Sequence, residues 1–334
     1  MDEVKQIVEE IRKGQPRPIY FLMGDETYYI DRIADFISDT VLTEEEKGFN
    51  QVVLYGKEVA VDDVVSQAKR YPMMADKQVV IVKEAQHLSR TIDQFAAYAD
   101  NPQPSTVLVL CYKYKKLDKR KKLYKSLLSS NAVIFESKKL YENQVTEWIR
   151  KTLKSQGYTI SHKASILLVE FLGTDLSRIS NELEKLKLVL PQSSQITPDH
   201  IEQHIGISKD YNNFELKKAI GEKDVKKATQ IINYFTRNPR DNPFVVTVTL
   251  LHTFFSQLLQ YHGLKDHSPK NVASALRINP YFVGEFQTAA RNYPMKRASQ
   301  IISALRELDL KGKGVGASNM PQGELLKELL ARIL

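Results

Sequence analysis

Five short apolar runs, at 19–23, 51–55, 78–82, 106–111 and 132–135, impose on the first 140 residues an alternation that few folds accommodate. Each run is rich in Val, Ile and Leu, as strands covered on both faces require. Helical stretches at 29–42 and 61–71 lie between them. That rhythm predicts a parallel sheet with crossover helices. After about Tyr141 the strand signals stop. Tyr141, Val145, Trp148, Ile149 and Thr152 share one helical face, and Leu176, Ile179, Leu183, Leu186 and Leu190 form a second stripe at three- and four-residue spacing. Thr197-Pro198-Asp199 supplies an N-cap and a first-turn proline for a third helix. From Asn213 onward the chain reads as helix throughout, broken at Asn238-Pro239, Asn242-Pro243, Gly263, Ser268-Pro269, Asn279-Pro280 and Tyr293-Pro294. Phe244 opens its most apolar helix, and Lys311-Gly312-Lys313-Gly314-Val315-Gly316 reads as a loop before a last helix at 324–334. The fold class is therefore α/β plus all-α. Its expected parts are an α/β domain at 1–140, a small helical domain at 141–211 and a larger helical domain at 212–334, in keeping with a length of 334 residues.

The first run continues into PIYFLMGDETYYIDR, a strand that turns at Gly24 into a helix. This is the place where an α/β ATPase cradles phosphate, using G-x-x-x-x-G-K-[ST]. Glycines let backbone N–H groups close on the phosphate oxygens, while lysine and a hydroxyl meet the charge and magnesium. Counted from Gly24, the second glycine falls on Tyr29, the lysine on Ile30 and the hydroxyl on Asp31. Tyr29 obstructs the backbone approach, Ile30 carries no charge and Asp31 repels phosphate. In such ATPases a later strand ends in Asp-Glu, but here the run from Val79 to Val82 ends in Lys83-Glu84. Two independent losses argue against hydrolysis. No cofactor site is expected.

Other candidates are weaker. His200 and His204 sit four apart, but Ile201 stands where a zinc protease needs glutamate, and no third ligand is near, so no metal is expected. Gly312, Gly314 and Gly316 follow a helix instead of a strand and do not match a dinucleotide fingerprint. No Ser/His/Asp or Cys/His set suggests itself. Cys111, the single cysteine, lies in TVLVLC and reads as a buried thiol. No run of about eighteen apolar residues and no signal peptide is seen, so a soluble intracellular chain without a membrane partner is expected.

Charge is unevenly distributed. Residues 1–140 carry 22 Lys+Arg against 21 Asp+Glu, residues 141–211 carry 8 against 9, and residues 212–334 carry 18 against 10. The C-terminal excess suits an acidic partner such as nucleic acid. KYKKLDKRKKLYK at 113–125 holds eight basic residues and one acid, and reads either as a phosphate contact or as a solvated helical face with Leu117, Leu123, Tyr124, Leu127 and Leu128 turned inward. Glu44-Glu45-Glu46 reads as a solvated turn. Pro72-Met73-Met74-Ala75-Asp76 sets two flexible thioethers between a helix and a strand, where they serve either as core or as a plug for a partner's hydrophobic groove.

Taken in order, PIYFLMGDETYYID, YPMMADKQVVIVKEA, TVLVLCYKYKKLDKRKKLYKSLL, WIRKTLKSQGYTI, GTDLSRISNELEKL, ITPDHIEQHIG and ELDLKGKG resemble the delta subunit family of the bacterial DNA polymerase III clamp loader, over about 300 residues. The resemblance implies a degenerate AAA+ parallel-sheet domain, a small helical lid domain and a helical collar domain. It implies a ring of five with ATP-hydrolysing relatives and delta-prime, a grip on the sliding clamp (the beta subunit), and loading of that clamp on primed DNA in the cytoplasmic replisome. By position the clamp-binding pair falls on Met73 and Met74, where common members carry leucine and an aromatic. No Ser-Arg-Cys trio for an arginine finger is present, and Arg178 occupies the lid position of a nucleotide sensor, where a structural ion pair is expected. Lys119, Arg120, Lys121 and Lys122 are the candidates to face DNA. The chain is expected to have no catalytic residue or cofactor of its own within a DNA-directed DNA polymerase assembly. Two other readings are an active AAA+ ATPase with an unusual site and a free-standing basic nucleic-acid-binding protein.

Overall fold

A computed structural model describes residues 2–315 and 320–334 and divides the chain into two units, 1–140 and 141–334. In the first unit all five apolar runs form strands: β1 (Ile19–Gly24), β2 (Gln51–Tyr55), β3 (Gln78–Lys83), β4 (Thr106–Lys113) and β5 (Val133–Ser137). They pair in parallel in the order β2-β3-β4-β1-β5. Alternate side chains feed two cores. Ile19, Phe21, Val80, Val82, Leu108 and Leu110 pack on one face, and Tyr20, Leu22, Val79, Ile81, Val107 and Val109 on the other. The helix Asp2–Arg12 buries Ile7 and Ile11 on the second of these faces.

Local chemistry moves several boundaries. The helix expected at 61–71 ends at Ala68, because side chains of β3 and β4 take its last carbonyls. Thr106 Oγ1 donates to Ala68 O at 2.7 Å, and Gln78 Nε2 donates to the same oxygen at 3.3 Å. Glu44-Glu45-Glu46 is not a turn. It is the first turn of the helix Glu44–Asn50, where Thr43 and Glu46 form a reciprocal capping box and three carboxylates face the positive end of the helix dipole.

The second unit is helical, with one exception to the expectation of no further strands. Thr159–Ile160 and Gln195–Ile196 form a two-residue parallel bridge, β6 with β7. The helix Glu142–Ser155 buries Val145, Trp148 and Ile149 as expected, but Leu153 replaces Thr152 in the core and Tyr141 is exposed. The helix Leu176–Val189 buries Leu176, Ile179, Leu183 and Leu186. The helix Pro198–Ile205 starts where Thr197-Pro198 predicts, though His200 Nδ1, not the Thr197 hydroxyl, closes the cap by accepting the Thr197 N–H at 3.3 Å.

Phe244–Gly263 has the length and composition of a membrane span, yet Phe244, Val248, Leu251, Phe255 and Leu258 are buried at the centre of the helical core. The helix Met295–Gly312 runs through Lys311-Gly312 where a loop is expected. A Cβ on Gly312 would come within 2.7 Å of the Phe244 ring, so the glycine permits close helix packing there. Gly314 turns with φ +83°, and Gly316 lies outside the described residues. The last helix, Gln322–Ile333, begins two residues before its expected start.

Glu170, on the helix His162–Leu172, is the costly group of this unit. Both of its carboxylate oxygens are shut from solvent without a hydrogen-bond partner. Burial pushes its pKa up to about 8, against the pull of Lys217 and with added repulsion from Glu142, Glu215 and Glu285. Between the ordinary value of 4.5 and about 8 the folded chain keeps a proton that the unfolded chain has released. Folding stability therefore falls as pH rises through that window, on the order of 1 kcal/mol per pH unit. Urea unfolding at a series of pH values should show this slope in the native chain and a flattened profile in Glu170→Gln.

Candidate functional site

The strand-to-helix turn after β1 is closed by the chain's own carbonyl groups. Gly24 N–H donates to Lys115 O at 3.1 Å, Glu26 N–H to Ser137 O at 3.3 Å, and Tyr28 N–H to the Glu26 carboxylate at 3.0 Å. These are donors that a phosphate cradle would turn outward. Gly24 adopts φ +125°, and a Cβ there would lie 2.9 Å from the Ser137 carbonyl carbon and overlap its oxygen. This glycine therefore lets the end of β5 approach, and a side chain there would collide with the Ser137 backbone.

The three motif positions have other work. Ile30 is fully buried in the core beneath the sheet, Tyr29 is half-buried against the same core, and Asp31 pairs with Lys113 at 2.6 Å. Lys83, at the end of β3, lies 3.5 Å from Asp35, one helical turn beyond Asp31. Lysines closing β3 and β4 thus meet two acids on the helix Thr27–Thr40. Glu84 is held in the left-handed region at φ 54° and lies 3.5 Å from His87. Cys111 is buried under this row, and burial, with Asp31 adding to it, pushes its thiol up to about 12.

The Met pair lies at the other end of the strands. Residues 69–77 lead into the N-terminal end of β3, whereas Gly24, Lys83 and Lys113 mark the C-terminal ends of their strands. In a parallel sheet these are opposite edges. Met73 is 62% exposed and Met74 fully exposed, so the core reading of these residues is overturned. Met74 sits in the left-handed region at φ 54°. Beside them Tyr71 is 80% and Phe49 73% exposed. Sequence reasoning missed Phe49, exposed one position earlier, and Asn50, whose bonds to Met73 span 23 positions and leave no local signature.

The basic stretch divides. Only Lys122–Ser129 is helical, with Leu117, Leu123 and Leu127 buried while Leu128 is exposed. Arg120 pairs with Asp118 at 2.8 Å, Lys121 with Asp93 at 2.6 Å and Lys122 with Asp100 at 3.8 Å, which offsets the local charge. Lys119 is exposed in the loop before them. Arg178 is exposed and, among the described residues, makes no ion pair, contrary to expectation, since its guanidinium is hydrated at little cost. His200 serves as a cap, and His204 is exposed.

A five-stranded parallel sheet in this order, with helices around it and a following set of helical segments, defines an α/β plus all-α protein of the architecture seen in a solved clamp loader delta protein. Two models of one family match: DNA polymerase III, delta subunit, over residues 20–138, and its C-terminal domain over residues 210–327. DNA polymerase III subunit delta of Bacillus subtilis is 29% identical over 321 residues, covering 93% of this chain and 92% of the relative. A probable DNA polymerase III subunit delta of Aquifex aeolicus is 22% identical over 226 residues, covering 64% of this chain and 63% of that one. Among solved structures, the DNA clamp loader delta protein of Bacillus subtilis superposes with a TM-score of 0.60 at 26% identity over 99% of both chains. The chain belongs to the DNA polymerase III delta subunit family.

The close approach at Gly24 yields a stability prediction. Gly24→Ala should lower the free energy of unfolding by roughly 3 kcal/mol through overlap with Ser137 and backbone strain. Gly48→Ala, within a helix and with open space around it, should raise it by about 0.5–1 kcal/mol. Paired denaturant melts decide the matter, and equal effects of opposite sign, or none at Gly24, would contradict the packing described.

Proposed function

We propose that this chain is a mechanical subunit of a clamp loader that grips the sliding clamp through Met73 and Met74 and holds a clamp interface open for loading on primed DNA, without hydrolysing ATP itself. The observation that carries the reading is the outward display of two thioether side chains on the sheet edge opposite a closed nucleotide turn. Large flexible apolar side chains left in water are costly to a free protein and useful to one that meets a hydrophobic pocket. Burying both would contribute roughly 3 to 6 kcal/mol before ordering costs. That energy biases a clamp from closed to open only through a better fit to the open form, because a ligand shifts states by its differential affinity.

In this reading the helical segments 141–211 and 212–334 act as lid and collar, and place the subunit in a five-membered ring with ATP-hydrolysing relatives and delta-prime in the cytoplasmic replisome. The excess of 18 basic over 10 acidic residues in 212–334 supports proximity to primed DNA in the assembly. Lys119, Arg120, Lys121 and Lys122 would contribute to that contact less than their number suggests, three of them being paired to acids. What favours this reading over an active ATPase is that the Gly24, Glu26 and Tyr28 amides of the turn are bonded within the chain and that Lys83 stands paired with Asp35 at the end of β3.

Clamp pull-down with Met73→Ala/Met74→Ala should lose most of the bound clamp while far-UV circular dichroism stays unchanged. Full retention of binding by a folded double variant would remove these residues from the mechanism.

A further inference from the structure

Asn50 is a buried polar residue at the end of the helix Glu44–Asn50, directly before β2. Its amide brackets the backbone of a residue 23 positions away. Met73 N–H donates to Asn50 Oδ1 at 2.6 Å, and Asn50 Nδ2 donates back to Met73 O at 2.9 Å. The second Nδ2 hydrogen goes to Glu46 O at 3.2 Å, so both amide donors are engaged and the side chain is fixed to its own helix. This is the two-bond exchange of a strand pair, made by a side chain in place of a strand. It acts on a loop that has no ladder partner of its own, since β3 begins at Gln78.

The loop needs such a holder. Pro72 fixes one φ angle, and Met74 stands in the left-handed region, which costs a non-glycine residue free energy that neighbouring contacts must offset. Met73 lies between these two, and its own N–H and C=O are the groups the amide takes. The helix that carries Asn50 is in turn held at its start by the Thr43 and Glu46 box, where Thr43 N–H donates to Glu46 Oε2 at 2.9 Å. A rigid path therefore runs from the capped helix through one amide to the base of the exposed pair.

We propose that Asn50 is the positioning residue of the clamp-docking loop, holding Met73 and Met74 in their outward geometry before the clamp arrives. The inference rests on the clamp-binding reading of that pair and adds its preorganisation. Without the amide, the loop samples other conformations in the free protein, and binding must first order it. Freeing about one residue's backbone corresponds to roughly tenfold weaker binding with every contacting side chain intact.

The test measures clamp affinity by surface plasmon resonance, together with amide hydrogen exchange of the full chain, for Asn50→Ala, Asn50→Ser and Met73→Ala/Met74→Ala. Asn50→Ser stays polar and uncharged and can still donate to the Glu46 carbonyl of its own helix while giving up the two-bond hold on Met73, so it covers the case in which the alanine variant folds poorly. Asn50→Ala and Asn50→Ser should each bind about tenfold more weakly than the native chain. Exchange should quicken at Met73 while the amides of β2 and β3 keep their protection. Native affinity in a folded Asn50 variant, or weaker binding without faster exchange at Met73, overturns the positioning role and leaves the docking pair standing. Native affinity in Met73→Ala/Met74→Ala overturns the docking reading itself, and the role of Asn50 with it.

Discussion

Ser137 O occupies the point on which the first unit turns. It accepts the Glu26 N–H and fills the space a Cβ on Gly24 would need, so the end of β5 packs directly against the strand-to-helix turn. A backbone donor committed to an internal acceptor is not available to a ligand unless that acceptor is displaced, and displacement here would pull β5 from β1. The two lysine–aspartate pairs complete the closure from the side by joining the ends of β3 and β4 to the helix after β1. The C-terminal edge of this sheet, where open α/β folds bind ligands, is thereby made into a structural seam.

That closure gives the opposite edge its meaning. A nucleotide-driven subunit changes shape when its phosphate site fills and empties, while a closed seam keeps the sheet a fixed body. A fixed body would suit the docking loop proposed at Met73 and Met74, because strands tied at their far ends resist yielding when such a loop is loaded. In the function proposed above, rigidity at one edge and projection at the other belong together, the motion coming from ring partners and this chain transmitting it.

The five strands were legible because fully buried parallel strands leave runs of β-branched and aliphatic residues that no other element mimics at that length. The missing lysine and glycine of the phosphate motif could likewise be read by counting. How the turn is closed could not, since Ser137 and Lys115 come to Gly24 from more than ninety residues away. The short pairing of Thr159–Ile160 with Gln195–Ile196 is too brief to show a period. The helix end at Ala68 was set by Thr106 and Gln78 from two other strands, which local propensity does not see. For the Met pair, sequence supplied the position through family resemblance and left core and surface open; the left-handed Met74 and the Asn50 clasp decide for the surface.

Calorimetric titration of the isolated chain with Mg-ATP tests the closed seam most directly. A flat trace, unchanged at millimolar nucleotide, is the result the structure predicts. Saturable one-to-one heat, with altered exchange of the amides at Gly24 and Glu26, would mean that Lys115 O and Ser137 O give way to phosphate, and would contradict the account.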